Sequence, residues 1–224
     1  MPELRTTGLD RQSPFSFRCA RCSACCRFKQ IQVNPYEIAR LARGRGLSTG
    51  ELVARFTRFG GSCLAVDAEG RCVFFGPAGC TVHADRPLVC RLYPLGRHRD
   101  GFGRESFSEI APDAGCAASR EGSGTVDGWL QSQDAMPYIE AADRYFEVFL
   151  RLGASLLQAD GSARGQIMET VKAHAAGSEY ADVAELDMDA AVAQHCAARG
   201  IPVPGDLDVT MGLHLEVLAR LAEG

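Results

Sequence analysis

The sequence predicts an α-rich α+β fold, a loop-rich, cysteine-ligated metal domain packed against a C-terminal helical bundle. Three observations predict it. Nine of the ten cysteines lie before residue 117. Between residues 60 and 94 Gly, Cys and Pro break the chain into short apolar pieces such as "CVFF" and "CTVH", which suit loops and short strands. Beyond residue 125 apolar residues recur at helical intervals. The domains expected are therefore 1–118 and 125–224, with the polar "ASREGSGTVDG" between them as a linker.

Each element follows from local chemistry. After the first cysteines, Asn34 can cap a helix whose first position suits Pro35, and Gly44 or Gly46 ends it. Ser48 and Glu51 form a capping box for a second short helix running through Phe56 and Phe59. Asp100-Gly101 signals a hairpin turn, followed by Phe107 and Ile110. In the C-terminal half Ile139, Ala142, Phe146, Phe149 and Leu156 mark one helix, with Tyr145, Phe146 and Phe149 expected in its core. "ARGQIMETVKAHAAG" and "ELDMDAAVAQHCAARG" read as two more, each ended by Gly, and "VTMGLHLEVLARLAEG" as a last amphipathic one.

Composition narrows the function. An apolar fraction of 46% and a charged fraction of 23% are those of a globular protein. A net charge of -4 argues against a general nucleic-acid binder. The N-terminus lacks the apolar core of a secretory signal, and no apolar run approaches the ~18 residues that span a membrane. The expected compartment is the cytoplasm, where thiols stay reduced and patterned cysteines point to metal or catalysis rather than disulfides.

The opening cluster, "CARCSACC", places Cys19, Cys22, Cys25 and Cys26 as C-x-x-C-x-x-C-C. Two cysteines three apart sit on one tight turn, and their sulfurs can converge on one ion. A third extends the arc, as in ferredoxin-type iron–sulfur sites, and zinc favours similar pairs. Adjacent Cys25 and Cys26, in an extended segment, would point apart, leaving Cys26 for a second centre or as a non-ligand. Cys63, Cys72, Cys80 and Cys90 follow at wide spacings. The best-supported site is Cys19, Cys22 and Cys25 with one remote cysteine, which spacing leaves open. Arg86 and Arg91, flanking Cys90, are either thiolate counter-charges or surface residues.

"CARCSACC", the later "CVFFGPAGCTVHADRPLVCRLYP" and the "GC" ending at Cys116 together resemble the bacterial C-x-x-C-x-x-C-C cysteine-cluster family of zinc- or iron-chelating domains, which includes a flagellin lysine N-methylase branch. The resemblance covers residues 18 to 117. It implies a metal site formed from Cys19, Cys22, Cys25, Cys26, Cys72, Cys80, Cys90 and Cys116. Cys63 is either a motif cysteine in another register or an extra, and His83 stands where relatives often carry an aromatic.

Other candidates are weaker. His83 is expected to be a polar neighbour of Cys80 rather than a ligand. His195 and Cys196, adjacent on a helix, do not face each other, and Cys196 reads as a buried apolar residue. His98, His174 and His214 are isolated in sequence. "GSGTVDG" does not match a dinucleotide-binding loop. The leading function is thiolate metal binding, through an iron–sulfur cluster with a redox or radical role. The alternatives are a zinc-stabilised binding module and a protein lysine methyltransferase-like enzyme. Neither a membrane nor nucleic acid is expected as partner; a protein partner or substrate is open.

Overall fold

The computed structural model describes residues 4–100, 102–113, 115–158 and 187–221. In chain order they form β1 (Leu4–Leu9), α1 (Pro35–Arg45), α2 (Thr49–Phe56), β2 (Thr57–Arg58), β3 (Cys63–Leu64), β4 (Phe75–Gly76), β5 (Gly79–Cys80), α3 (Leu88–Leu92), β6 (Leu95–Arg99), β7 (Glu105–Ile110), α4 (Val126–Ser132), α5 (Met136–Gln158), α6 (Met188–Arg199) and α7 (Leu207–Leu221). This is the expected α-rich α+β class. No described helix is long and apolar enough to cross a membrane. Two compact units interleave along the chain: Met1–Gln32 with Val66–Ile139, and Val33–Ala65 with Glu140–Gly224.

The first unit carries a three-stranded antiparallel sheet ordered β1-β7-β6. The β6–β7 hairpin pairs Leu95 with Glu109 through to Arg99 with Glu105. At its turn the Asp100 carboxylate accepts the backbone N–H groups of Phe102 and Arg104, both at 2.9 Å. β1 was not anticipated, because "LRTTGL" lacks a clear alternation. The stretch expected as a linker is partly ordered structure. Thr125 caps α4 by accepting the Gly128 N–H, and upstream Ser119 exchanges backbone hydrogen bonds with Arg18. Phe15, Phe17 and Trp129 pack ring against ring, Phe17 also meets Tyr93 edge-on, and the indole N–H donates to the Leu92 carbonyl.

Arg91 is not a surface residue. It is 2% exposed, and its guanidinium donates to the carbonyls of Arg86, Ala84 and Gln133 and to the Tyr138 hydroxyl. It also lies 4.0 Å from the Tyr138 ring centroid. The planar fork ties the loop before α3 to the end of α4, a geometry that lysine does not reproduce.

In the second unit both predicted caps are present. Asn34 and Glu37 complete a capping box at α1, Ser48 and Glu51 one at α2, and Gly46 ends α1 at φ 66°. α2 stops at Phe56; Phe59 lies beyond it in the left-handed region and is half exposed. Asp187 caps α6 and accepts the Thr49 hydroxyl, while the Thr49 N–H donates to Asp189 at 2.8 Å. The α5 core face is partly the expected one: Ile139 and Tyr145 are buried, with Tyr138, Ala141 and Val148, whereas Phe146 and Phe149 are exposed. His214, isolated in sequence, is fully buried and hydrogen-bonded to the Tyr145 hydroxyl at 2.8 Å. Cys63 and Cys196 are buried in this unit. The expected helix "ARGQIMETVKAHAAG", with His174, lies outside the described residues.

Removing the Arg91 fork leaves three carbonyls and a phenol to find new partners. Arg91→Ala should lower unfolding free energy by about 3 kcal/mol, and Arg91→Lys should recover little of it. Urea denaturation of the two variants checks this.

Candidate metal centre

All eight motif cysteines, Cys19, Cys22, Cys25, Cys26, Cys72, Cys80, Cys90 and Cys116, belong to the first unit. The chain reaches this arrangement by stitching one cysteine loop to three later segments. At its start, buried Phe15 and Phe17 anchor the segment leading to Cys19, and the Arg18–Ser119 backbone pair fixes it beside the segment after Cys116. At its end, the Cys72 N–H donates to the Cys26 carbonyl at 2.9 Å and the Phe28 N–H to that of Gly70 at 2.7 Å. The β4–β5 hairpin then returns Cys80 opposite Phe75. A Cβ at Gly79, where φ is 107°, would sit 3.2 Å from the Arg21 carbonyl oxygen, so glycine allows the cysteine loop to approach.

Between these stitches the loop is tightly coiled. Arg21, Ser23 and Phe28 all have positive φ, at 53°, 59° and 53°. Non-glycine residues in this region store strain that the surroundings must hold. Ala24–Cys26 is a single 3-10 turn rather than an extended segment. That corrects the expectation for Cys25 and Cys26: their thiols do not diverge, and Cys25 donates a hydrogen bond to the Cys26 sulfur.

The backbone is arranged around the sulfurs in a repeated way. Arg21 donates its N–H to Cys19 and Ala117 its N–H to Cys22, both at 3.4 Å, and the N–H groups of Ala24, Phe74, Val82 and Ala118 favour the charged forms of Cys22, Cys72, Cys80 and Cys116. Such donors stabilise a thiolate over a thiol. Cys22 collects the most. The N–H groups of Ala24 and Ala117 and the Cys116 thiol hold it below the ordinary cysteine value.

Opposed to these donors is desolvation. Burial pushes Cys72, Cys80 and Cys116 up. Cys25 is raised furthest, first by its hydrogen bond to Cys26, then by burial and by the charges of Cys26 and Cys22. It is also within electrostatic reach of Cys72, Cys80 and Cys116. Cys25 is therefore the crowded centre of the group. As the side chains stand, no three or more His, Cys, Asp or Glu side chains among the described residues are assembled to hold an ion. The donor set nonetheless fits a thiophilic metal: crowded thiols that burial keeps protonated are those whose ionisation a bound cation favours.

Two cationic groups border the thiols. Lys29 pairs with Asp113 at 2.5 Å and lies 4.4 Å from the Tyr93 ring centroid, and it lowers the cost of charging Cys25. Asp113 accepts the Tyr93 hydroxyl, and its carbonyl accepts the Cys116 N–H, so one clamp joins the end of the first cluster to Cys116. Sequence reasoning missed it. The signal was the opposite charges at Lys29, three after Cys26, and Asp113, three before Cys116. Arg86 is within reach of Cys19, Cys90 and Cys80, and burial and Arg91 lower its own value. The His83 carbonyl accepts a hydrogen bond from Arg86. Burial, then Arg86, Arg21 and Arg91, lower the His83 imidazole to about 4.

Residues 18–116 match the CxxCxxCC family model, described as "Putative zinc- or iron-chelating domain". The match spans the opening cysteine cluster and the later cysteines up to Cys116. No match to the chain is found among curated proteins or solved structures.

Two outcomes are expected in solution. In metal-free, reduced protein, iodoacetamide should modify Cys22 well before Cys25, Cys72 or Cys80; mass-spectrometric mapping over time gives the order. The His83 ring should stay neutral at pH 6 and titrate near pH 4 in an NMR titration. Because its folded value lies below the ordinary one, the unfolded chain takes the proton first. Stability is thus unaffected above about pH 6.5 and falls as pH drops from there toward 4.

Proposed function

We propose that the first unit binds metal through its clustered cysteine thiolates and holds an iron–sulfur centre, with ligands drawn from Cys19, Cys22, Cys25, Cys26, Cys72, Cys80, Cys90 and Cys116. The observation that carries this reading is the gathering of backbone N–H groups at the cysteine sulfurs: Arg21 donates to Cys19 and Ala117 to Cys22, both at 3.4 Å, and the N–H groups of Ala24, Phe74, Val82 and Ala118 favour the charged forms of Cys22, Cys72, Cys80 and Cys116. N–H donors to ligand sulfur tune the potential of such centres. The C-x2-C-x2-C nucleus and a supply of thiols exceeding the four that one zinc needs favour iron–sulfur over zinc. An iron–sulfur centre held there would supply one-electron chemistry.

The residues present have defined parts. The N–H groups of Arg21, Ala24, Phe74, Val82 and Ala118 hold negative charge on sulfur. Lys29 and Arg86 offset that charge from opposite ends of the motif. Asp113 and Tyr93 keep Lys29 and the Cys116 turn in register. The backbone pairs 26–72 and 28–70 keep Cys72 beside the loop.

Anaerobic purification followed by metal, sulfide and spectroscopic analysis of one sample tests the proposal. Brown protein with iron and acid-labile sulfide that bleaches with dithionite is expected; colourless protein with stoichiometric zinc and no sulfide overturns the iron–sulfur reading in favour of a zinc-stabilised module. In the same assay Cys22→Ser should lose most of the metal, whereas Cys196→Ser, in the other unit, should keep it.

A further inference from the structure

A second feature of the first unit lies beside the cysteines. A cavity of ≈ 530 Å³ is lined by Arg18, Arg21, Arg86 and Arg91, with Phe17 and Trp129 as apolar wall. That volume lies in the range of small-molecule sites. Its charge is one-sided, since Asp134 is the one carboxylate in the lining. The four guanidiniums are not equivalent. Arg91 is committed to three carbonyls and a phenol. Arg86 is fixed by the His83 carbonyl and the Gln133 side chain, and its charge is shared with Cys19, Cys80 and Cys90. Arg18 and Arg21 are different. Both are exposed, and among the described residues neither guanidinium has an ion-pair or hydrogen-bond partner. Arg21 is held at a positive φ of 53° while its backbone N–H caps Cys19. After burial, the charges of Arg86, Arg21 and Arg91 also lower the value of His83 in the same lining.

We propose that this cavity is a binding site for a small organic anion. The carboxylate or phosphate group sits at Arg18 and Arg21, with Arg86 behind them, and an apolar or aromatic body lies along Phe17 and Trp129. Arginine forks suit oxyanions of both kinds, and the aromatic wall suits a flat body. Cys19 also lines the cavity, so the bound anion lies next to the cysteine cluster. The inference does not depend on which metal the cluster takes.

Trp129 is the single tryptophan of the chain, so intrinsic tryptophan fluorescence reports this cavity directly. The protein as purified is titrated with phenyl phosphate and with benzoate at constant ionic strength, with phenol and benzamide as neutral counterparts. A saturable fluorescence change with at least one anion, and none with its neutral counterpart, is expected. A stronger response to phenyl phosphate assigns a phosphate ligand, and a stronger response to benzoate a carboxylate. R18Q/R21Q should weaken binding about tenfold or more, because two charge-assisted contacts are lost. R104Q, which removes a charge on the β6–β7 hairpin, should bind as the wild type does. Metal content of R18Q/R21Q is measured on the same sample and should be unchanged. No saturable response, equal responses to charged and neutral probes, or unweakened binding by R18Q/R21Q would overturn the proposal. Loss of metal from R18Q/R21Q would overturn it too, because the two arginines would then serve the thiolates. Arg21→Glu gives an independent check: reversing one charge should abolish the response while leaving the circular dichroism spectrum unaltered.

Discussion

Around the cysteines, burial and ionisation oppose each other. A thiol must lose its proton to ligate, yet burial favours keeping it. The backbone meets this opposition locally, with N–H groups of Arg21 and Ala117 donated to Cys19 and Cys22, and nearby N–H groups favouring the charged forms of Cys72, Cys80 and Cys116. These hydrogen bonds require tight turns, and the turns account for much of the unit's irregularity. Arg21 and Ser23 adopt positive φ so that the chain can coil around Cys19 and Cys22. Little regular structure is compatible with so many turns in so few residues, which is why β4 and β5 are two residues each.

A loop of this kind needs external support, and charged side chains supply it. The Lys29–Asp113–Tyr93 clamp ties the first cysteine group to Cys116 over more than eighty residues of chain. Arg91 performs the corresponding task around α3, on the far side of Cys90 in sequence. Arg91 satisfies buried backbone and phenolic partners, whereas the clamp joins a part-exposed Lys29–Asp113 ion pair to the Tyr93 hydroxyl. Removing Arg91 leaves acceptors without a partner, the costly case for a folded chain.

What the sequence made legible was what depends on neighbours in the chain. Asn34 and Ser48 cap helices because capping is a matter of three residues, and the Asp100 turn closes a hairpin for the same reason. The opening cysteine motif itself is local, and it lies within residues 18–116, which match the CxxCxxCC family model. What stayed hidden depends on distant partners. Arg91 is an unremarkable residue in "CRLYP" until Tyr138 and Gln133 arrive. His214 has no sequence neighbour that hints at Tyr145. Periodicity placed α5 and the burial of Ile139 and Tyr145, but not the exposure of Phe146 and Phe149, whose apolar side chains alone do not tell the two faces apart. Cys25 and Cys26 were misread because strand geometry was assumed for a segment that turns.

The charge inventory links the two sites of the first unit. Four thiolates around one divalent cation leave surplus negative charge, and an iron–sulfur centre held by cysteines also stays anionic. Lys29 and Arg86 lie within reach of the thiols and can offset part of that surplus. Arg86 stands in the lining of the cavity as well, so its charge acts on both sides at once. An anion arriving at Arg18 and Arg21 would draw on that same guanidinium, and any change in charge at the thiolates would alter how strongly it does so. Coupling of this kind needs no moving part. It follows from one half-buried arginine placed between a group of sulfurs and an open, positively charged cavity.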